Sequence, residues 1–307
     1  MVLISSVRSS ASADGQRQRR QCHPSLWTRL HAALVLLALS CGPMTAAAQD
    51  RQDDPFKQGY ADYNAGDYGR AREHWRPLAE AGHAKAQYGL GLMYANGSGV
   101  PQDDLLASQW LRKAADQGHA PAQDALGTLY QLGRGVPKDE LQAARWYRRA
   151  AEQGLDTAQY NLARQYDFGR GVPRDLGAAR KWYEKAADQG YPRAQYNLAV
   201  MYANGDGVIQ DDARAMQLMR MAAAQGHRQA TFSLGVMYAE GRGAPRNPAT
   251  AFALISAVPS PDEQMAQYLD MLVTGMTSAQ LAHAKQLAVE LLSNGVSEET
   301  LRRMDSE

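Results

Sequence analysis

The sequence predicts an all-α fold, an α-solenoid built from tandem 36-residue helical hairpins. Alanine recurs every 36 residues, and pairs of glycines recur at the same interval. Runs of Val, Ile and Thr bounded by turn residues, which would indicate strands, are missing. A fixed period of this size is typical of proteins that stack one supersecondary unit repeatedly. The recurring alanines are Ala86, Ala122, Ala158, Ala194 and Ala230.

The first half of each unit predicts an amphipathic helix that ends in a glycine loop. In the first copy Ala86, Leu90 and Tyr94 are spaced four residues apart and share one face of the helix. Gly97 follows, because glycine accepts the positive φ angles at which helices commonly end. Asp103 then lies where the next helix needs an N-cap, so its carboxylate is expected to accept hydrogen bonds from free backbone N–H groups.

The second half of each unit predicts a helix that packs back on the first. Ala107, Trp110 and Leu111 have helical spacing, and we expect the tryptophan to fill the space between paired helices. Gly118 ends the hairpin. Capping boxes that start at Ser260 and Thr277 predict two closing helices, at about 261–274 and 278–292. The predicted segments after residue 48 are a disordered linker (49–55), a short N-terminal capping hairpin (56–85), five repeats (86–258), C-terminal capping helices (259–292) and a polar tail (293–307).

Residues 1–48 have the features of an export signal. A basic leader with five Arg precedes the apolar run 32–39, and the small residues 46–48 offer a cleavage site. Because the run is too short for a transmembrane span, we expect cleavage and a periplasmic or secreted mature chain. Cleavage would remove both cysteines, Cys22 and Cys41. Alternatively, the residues before Cys41 resemble a lipobox, which would leave the protein lipid-anchored to the membrane through Cys41.

The charge of the chain argues against nucleic acid as a partner. Residues 1–48 hold five of the 33 basic side chains and one of the 32 acidic ones, so the mature part is slightly acidic. It has no basic footprint of the kind that a phosphate backbone requires. Adjacent acids such as Asp103 and Asp104 point about 100° apart on a helix. We therefore expect the first to cap the helix and the second to be solvated.

Neither a catalytic constellation nor a metal site is predicted. His83, His119 and His227 each follow a hairpin-ending glycine, but Leu155 and Tyr191 take the same place in other units. We therefore interpret the three histidines as partly buried turn residues, not as metal ligands. The Gly-Arg-Gly segments have neither the preceding strand nor the following Gly-Lys-Ser/Thr of a phosphate-binding loop. We expect no cofactor and no enzymatic activity.

A second face of the first helices is predicted to bind a partner. At about 100° per residue, positions two, six and ten after the repeated alanine point away from the core stripe. In a stacked array the first helices line one concave wall, so these positions would form a continuous groove. Aromatic residues occupy position two in four of five copies, which is typical of recognition surfaces. We define the predicted groove as Tyr88, Leu92, Asn96, Asp124, Thr128, Leu132, Tyr160, Arg164, Phe168, Tyr196, Val200, Asn204, Phe232, Val236 and Glu240.

An alternative for the aromatic row is that its rings shield neighbouring helices. The two hypotheses differ in a measurable way. If the rings are exposed, Tyr160→Ala combined with Tyr196→Ala should weaken partner capture and leave thermal stability nearly unchanged. If the rings are core, the same pair should destabilise the fold as much as Trp146→Ala.

The unit Ala-x-x-x-Leu-Gly/Ala-x-x-Tyr-x-x-Gly-x-Gly-Val-x-x-Asp-x-x-x-Ala-x-x-Trp-x-x-x-Ala-Ala-x-x-Gly closely resembles the Sel-one-like repeat (SLR), a relative of the tetratricopeptide repeat. The likeness covers about 56–258, with departures where Leu218 and Leu254 replace Trp and Ala244 replaces Val. It implies a right-handed α-α superhelix. It also implies an adaptor or scaffold that binds a protein or peptide segment in its concave groove, in settings such as envelope assembly, exopolysaccharide export or stress signalling.

The resemblance leaves two alternatives open. Sugar rings could stack on the aromatic row, which would make the chain a carbohydrate-binding or cell-wall-binding protein. A cysteine-rich branch of the family has been linked to activity on cell-wall or β-lactam compounds. The chain after residue 48 lacks the paired cysteines of that branch. We therefore expect protein binding without catalysis.

Overall fold

The computed structural model describes residues 54–306, and within that range it contains fifteen α-helices and no strand. The predicted all-α array of consecutive hairpins is confirmed. The chain divides into two compact units, Met1–His74 and Trp75–Glu307. In chain order the helices are α1 (Pro55–Asn64), α2 (Tyr68–Glu80), α3 (Ala84–Asn96), α4 (Asp104–Asp116), α5 (Ala120–Leu132), α6 (Glu140–Glu152), α7 (Asp156–Phe168), α8 (Leu176–Asp188), α9 (Pro192–Asn204), α10 (Asp212–Ala224), α11 (Arg228–Glu240), α12 (Pro248–Ser256), α13 (Glu263–Thr274), α14 (Ser278–Asn294) and α15 (Glu298–Ser306).

In the first unit the described residues form α1 and the start of α2. Asp54 caps α1 by accepting a hydrogen bond from the backbone N–H of Phe56 at 3.0 Å. The turn into α2 brings the rings of Tyr63 and Tyr68 edge to face, with centroids 5.2 Å apart. Part of the predicted linker is therefore the cap of a regular helix.

The hairpins of the second unit follow the predicted caps. Asp103 accepts from the backbone N–H of Leu106 at 2.9 Å, and Asn247 accepts from that of Thr250 at 3.0 Å. The first helices end at glycines in the left-handed conformation, such as Gly97 with φ of 69°. Each helix packs on the next along the chain from α3 to α12. Satisfied backbone groups at both ends therefore fix where every hairpin turns.

The core consists of small residues and a few large rings. Tyr147 is 1% exposed and packs among alanines of α6 and Leu162 of α7. Trp146 is 6% exposed and belongs to one buried cluster with Leu126 of its own hairpin and Leu111 of the preceding one. Trp146 therefore fills the space between the helices of its own hairpin and also joins that hairpin to the preceding one. The alanine-rich surfaces allow the close helix approach on which this packing depends.

The second glycine of the loops that follow α5, α7, α9 and α11 lies against the preceding hairpin. A Cβ atom built on Gly135 would stand 1.8 Å from the carbonyl oxygen of Asp104, and one on Gly171 would stand 2.0 Å from that of Glu140. Both glycines also have positive φ angles, 65° and 68°. Only glycine satisfies both conditions. The loop pattern therefore serves contact between units as well as the turn.

The C-terminal residues form three helices that continue the second unit. α13 and α14 lie close to the two predicted closing helices, and Thr277 and Gln280 make the predicted capping box. The predicted polar tail is different: α15 is helical, and Leu301 and Met304 are at most 1% exposed. Their spacing of three residues places both on one face of α15. The segment 293–307, predicted as a polar tail with at most a short helix near Glu298, thus contains that helix with two buried apolar residues.

Candidate functional site

The predicted groove contains buried and exposed residues in separate places. Asn96, Leu132, Phe168 and Glu240 are exposed; Tyr88, Leu92, Asp124, Thr128, Arg164 and Asn204 are partly buried; and Tyr160, Tyr196, Val200, Phe232 and Val236 are buried. The expectation of a continuous exposed row is wrong at the five buried residues. The exposed members lie at the C-terminal ends of the first helices.

The next unit packs on the rings of Tyr88, Tyr160 and Tyr196 at position two. The ring of Tyr196 stacks on that of His227, with centroids 4.9 Å apart and planes 26° apart. Tyr88 meets His119 at 5.0 Å, and Tyr160 meets Tyr191 at 5.2 Å. Each partner is the residue that precedes the next first helix. The shielding alternative therefore holds for this row.

The closing helix α13 covers Phe232, a groove position of α11. Phe232 lies edge to face with Tyr268 of α13, with centroids 6.0 Å apart. Residues 230–239 of α11 are all buried, including Val236. Arg228 donates hydrogen bonds to the carbonyl oxygens of Pro259 and Ser260. The end of the predicted groove is thus occupied by the chain itself.

The turn histidines have a structural role that the sequence indicated only in part. The Nδ1 atoms of His83, His119 and His227 accept hydrogen bonds at 3.2–3.3 Å from the backbone N–H three residues later. Each imidazole is therefore the N-cap of the helix that follows it, and its Nδ1 atom must carry no proton in order to accept this hydrogen bond. Burial lowers the pKa of His227 from 6.5 to about 4, and burial also lowers the pKa of His119. Desolvation thus favours the neutral form that capping requires.

Asp124 takes the place of a ring at position two and makes a polar contact instead. Its carboxylate accepts from Asn161 Nδ2 at 2.8 Å and from Thr157 Oγ1 at 3.2 Å, both on α7. Burial raises the pKa of this carboxyl, and the two hydrogen bonds oppose that change. Asp124 therefore joins α5 to α7 on the groove face.

A row of paired glutamines joins consecutive hairpins. Gln123 Nε2 donates to the carbonyl oxygen of Ala115 at 3.1 Å, and Gln123 Oε1 accepts from Gln153 Nε2 at 2.7 Å. The same pair of contacts is repeated in three other units, with Gln87, Gln159 and Gln195 as the buried partner. These glutamines were not among the predicted site residues, although they recur on the same 36-residue grid.

Two loop arginines bind the preceding hairpin. Arg134 Nε donates to Asp104 Oδ2 at 2.9 Å, and its Nη2 donates to the carbonyl oxygen of Ala95 at 2.8 Å. Arg242 makes the equivalent contacts to Asp212 and to the carbonyl oxygen of Ala203. The expectation that the second acid of each Asp-Asp pair is solvated is therefore wrong. Bidentate guanidinium–carboxylate geometry makes these contacts specific.

Around Phe168 the groove keeps exposed apolar and cationic groups. Phe168 is 44% exposed and Leu132, at the same position of the preceding unit, is 56% exposed. The guanidinium carbon of Arg164 lies 5.8 Å from the ring centroids of both Tyr160 and Phe168. That of Arg170 lies 5.1 Å from the ring centroid of Phe168. We call Leu132, Arg164, Phe168 and Arg170 the Phe168 patch.

The comparison with protein families decides where this array belongs. The Sel1 repeat model matches six consecutive segments that extend from residue 62 to residue 256, well over half of the chain. The chain belongs to the Sel1 repeat family. The matched segments are 62–83, 84–119, 120–155, 156–191, 192–227 and 228–256.

Solved Sel1 repeat structures have the same fold. A protective antigen of uropathogenic Escherichia coli strains that displays an SLR fold matches with a TM-score of 0.68 and 32% identity. That match covers 80% of this chain and 56% of the antigen. A Sel1 repeat protein from Oxalobacter formigenes matches with a TM-score of 0.65 and 29% identity, over 76% of this chain and 96% of the other.

Two curated relatives share shorter stretches. An exopolysaccharide production negative regulator of Rhizobium leguminosarum bv. viciae is 40% identical over 80 residues, which are 24% of this chain and 30% of the regulator. A protein of the same description from Rhizobium meliloti is 35% identical over 91 residues, or 25% and 34% of the two chains. The chain thus spans about a third of the length of these relatives.

The predicted features of the N-terminal 48 residues have no counterpart among the residues that the structure describes. The signal peptide, the cleavage site and the lipid anchor at Cys41 lie outside the described residues. None of the helices between residues 54 and 306 combines the length and the apolar character that a membrane crossing requires. Over the same residues no three His, Cys, Asp or Glu side chains are grouped so that they could hold a metal ion.

Proposed function

We propose that this Sel1 repeat protein is a non-enzymatic scaffold that binds a protein or peptide segment, and that the Phe168 patch is its contact surface. The exposure of Leu132 and Phe168 carries this proposal. The two residues end the first helices of consecutive units, and the contacts of Asp124 with Asn161 and Thr157 show that those helices are neighbours. Exposed apolar residues at adjacent sites, next to cationic groups, are typical of interaction sites.

Affinity purification with a matched control tests the proposal. The full chain with a C-terminal tag, the same chain with Leu132→Ala and Phe168→Ala, and a chain with Val289→Ala and Leu292→Ala would be compared by quantitative mass spectrometry after crosslinking. Val289 and Leu292 are 64% and 65% exposed on α14 and serve as controls for the loss of surface apolar area. We expect specific partners to be depleted at least ten-fold by the first pair only. Equal recovery from all three chains would remove the Phe168 patch from the proposal.

We further propose that the mature chain acts in the periplasm or outside the cell. The support is the export signal predicted in residues 1–48. Cell fractionation followed by N-terminal sequencing would show Gln49 as the first residue if the signal is cleaved. A lipid-modified Cys41 at the N-terminus would support the alternative of a membrane-anchored protein, and an intact N-terminus in the cytosol would contradict both.

The setting of that binding is proposed from the two Rhizobium relatives. Both are described as negative regulators of exopolysaccharide production. We propose that the chain influences exopolysaccharide production through a protein partner. Deletion of its gene should raise the yield of exopolysaccharide, and a variant altered at Leu132 and Phe168 should fail to restore the wild-type yield. An unchanged yield after deletion would separate this chain from those relatives.

A further inference from the structure

Arg170 differs from its two counterparts in how its guanidinium is held. Arg134 and Arg242, at the same loop position, each bind an aspartate and a carbonyl oxygen of the preceding hairpin. The acid at the corresponding place for Arg170 is Glu140, which instead lies 3.7 Å from Lys138 Nζ of its own loop. Among the residues that the structure describes, Arg170 has no ion pair and lies over the ring of Phe168.

Arg164 is a second guanidinium without a carboxylate partner. Position six of the other first helices carries Leu92, Thr128, Val200 or Val236, so only this unit places a charge there. Arg164 lies between the rings of Tyr160 and Phe168, and within 54–306 it has neither a hydrogen bond nor an ion pair. Burial raises the pKa of the nearby Tyr183 hydroxyl well above its usual range, and the positive charge of Arg164 opposes that change.

Neither guanidinium has a hydrogen-bond acceptor among the described residues, so the N–H donors of both are available. A guanidinium that stacks on aromatic rings presents its N–H donors in the plane, where they can bind both oxygens of a carboxylate. Arg164 and Arg170 approach the same exposed ring of Phe168. Two unpaired cations beside 44% exposed aromatic surface are complementary to an anionic group that is attached to an apolar one.

We infer that the Phe168 patch binds a carboxylate of a partner peptide, with an acidic residue held by Arg164 and Arg170 and an adjacent apolar residue packed on Phe168 and Leu132. This inference rests on the proposed function and specifies the chemistry of the partner. A polyphosphate or nucleic acid fits less well, because the acid Asp167 directly precedes Phe168 in the chain and the residues after 48 are slightly acidic overall.

Selection from a random peptide library tests the inference without a known partner. Phage-displayed dodecapeptides would be selected on the immobilised full-length chain, and the selected peptides would be synthesised and their Kd measured by fluorescence anisotropy. We expect the selected sequences to contain Asp or Glu next to an apolar residue. Arg164→Gln and Arg170→Gln should each weaken binding about ten-fold, as expected for the loss of a charge-assisted hydrogen bond.

Two further variants separate a specific contact from general charge and from misfolding. Arg145→Gln removes an exposed arginine from α6 and should leave Kd unchanged. Arg164→Lys keeps the charge but loses the planar fork, so its Kd should lie between those of the wild type and Arg164→Gln. Circular dichroism melting curves of all variants should coincide within a few degrees. Binding should also weaken as NaCl rises, because part of each contact is exposed.

The outcomes distinguish failure of this inference from failure of the proposed function. Selected peptides that lack Asp and Glu, or whose Kd is the same for the wild type and for both arginine variants, would overturn the inference and leave the scaffold proposal standing. No selected peptide at all would overturn both. Tetragalacturonate is the probe for an anionic sugar: if it binds more tightly than every acidic peptide and depends on both arginines, the partner is a carboxylated glycan and the assignment to a peptide is wrong.

Discussion

Gln153 donates a hydrogen bond to the side-chain oxygen of Gln123 at 2.7 Å, across thirty residues of sequence and between the two helices of one hairpin. Gln123 is 4% exposed, and its own amide donates to the carbonyl oxygen of Ala115. One side chain therefore satisfies a backbone group of the preceding hairpin and holds the end of its own second helix. Both contacts are repeated in four units, and the bond to the carbonyl oxygen of the preceding hairpin is a regular part of the interface between units.

Removal of this contact should destabilise the array. Gln123→Ala leaves the Ala115 carbonyl oxygen and the Gln153 amide without that partner, which should lower the free energy of unfolding by about 1–3 kcal/mol. Urea denaturation followed by circular dichroism measures the change. The exposed Gln264 provides the control, because Gln264→Ala should change stability by less than about 0.5 kcal/mol. Equal effects at both sites would show that the buried pair contributes nothing specific.

The loop glycines allow a second matched comparison. Gly135→Ala places a Cβ against the Asp104 carbonyl oxygen and forces a positive φ on alanine. Gly154 also has a positive φ, of 92°, but a Cβ there meets nothing within 4 Å. We expect Gly154→Ala to cost about 1 kcal/mol from backbone strain alone and Gly135→Ala at least about 2 kcal/mol more. Thermal and urea unfolding would rank the two, and the reverse order would contradict the close loop contact.

Tyr196 should now behave as a core residue. Its ring is 7% exposed and stacks on His227, so Tyr196→Ala should cost about 3 kcal/mol, similar to the 3–5 kcal/mol expected of Trp146→Ala. Tyr196→Phe keeps the ring and should cost much less. Chemical denaturation of the three variants measures these differences. A loss below about 1 kcal/mol for Tyr196→Ala would restore the alternative of an exposed recognition ring.

Acid should weaken the fold through His227. Burial lowers the pKa of this imidazole to about 4, whereas the unfolded chain titrates near 6.5. The unfolded state therefore binds the proton first, so the stabilisation is complete above pH 6.5 and is lost as the pH falls from 6.5 towards 4. The loss should reach about 3 kcal/mol at the lower limit.

His227→Asn isolates this effect. Asparagine also caps helices but does not titrate, so the difference in stability between wild type and variant should change over pH 6.5 to 4 and stay constant above pH 7. Urea unfolding at a series of pH values measures that difference. A difference that is independent of pH would mean that His227 has an ordinary pKa in the folded protein.

The repeat grid predicted the hairpins well because local chemistry determines them. Asp103 caps α4 and Gly97 ends α3 as expected, since each depends on backbone groups within a few residues. Exposure was harder to predict. Tyr196 and Phe168 leave the same face of equivalent helices, yet one ring is covered by His227 and the other is 44% exposed. A helical wheel gives direction on one helix and not the position of its neighbour.

One sequence signal could have revealed the covered rings. Where position two is aromatic, as in Tyr88, Tyr160 and Tyr196, the residue before the next first helix is His or Tyr. Where position two is Asp124, that residue is Leu155. The two positions vary together within one chain, which is the expected sign of contact. No comparable sequence signal indicates that Arg170 lacks the loop contact. Glu140 carries the same charge as the aspartates that bind Arg134 and Arg242.

The glutamine contacts have a consequence for how such a chain could change length. Every donor and acceptor in them recurs after 36 residues, so excision of residues 120–155 would bring Gln159 to the carbonyl oxygen of Ala115 in place of that of Ala151. Gln189 would still meet Gln159, and Gln117 would still meet Gln87. Duplication or deletion of a whole unit thus leaves matching partners at the new junction. Genetic recombination can lengthen or shorten the array without inventing a new interface.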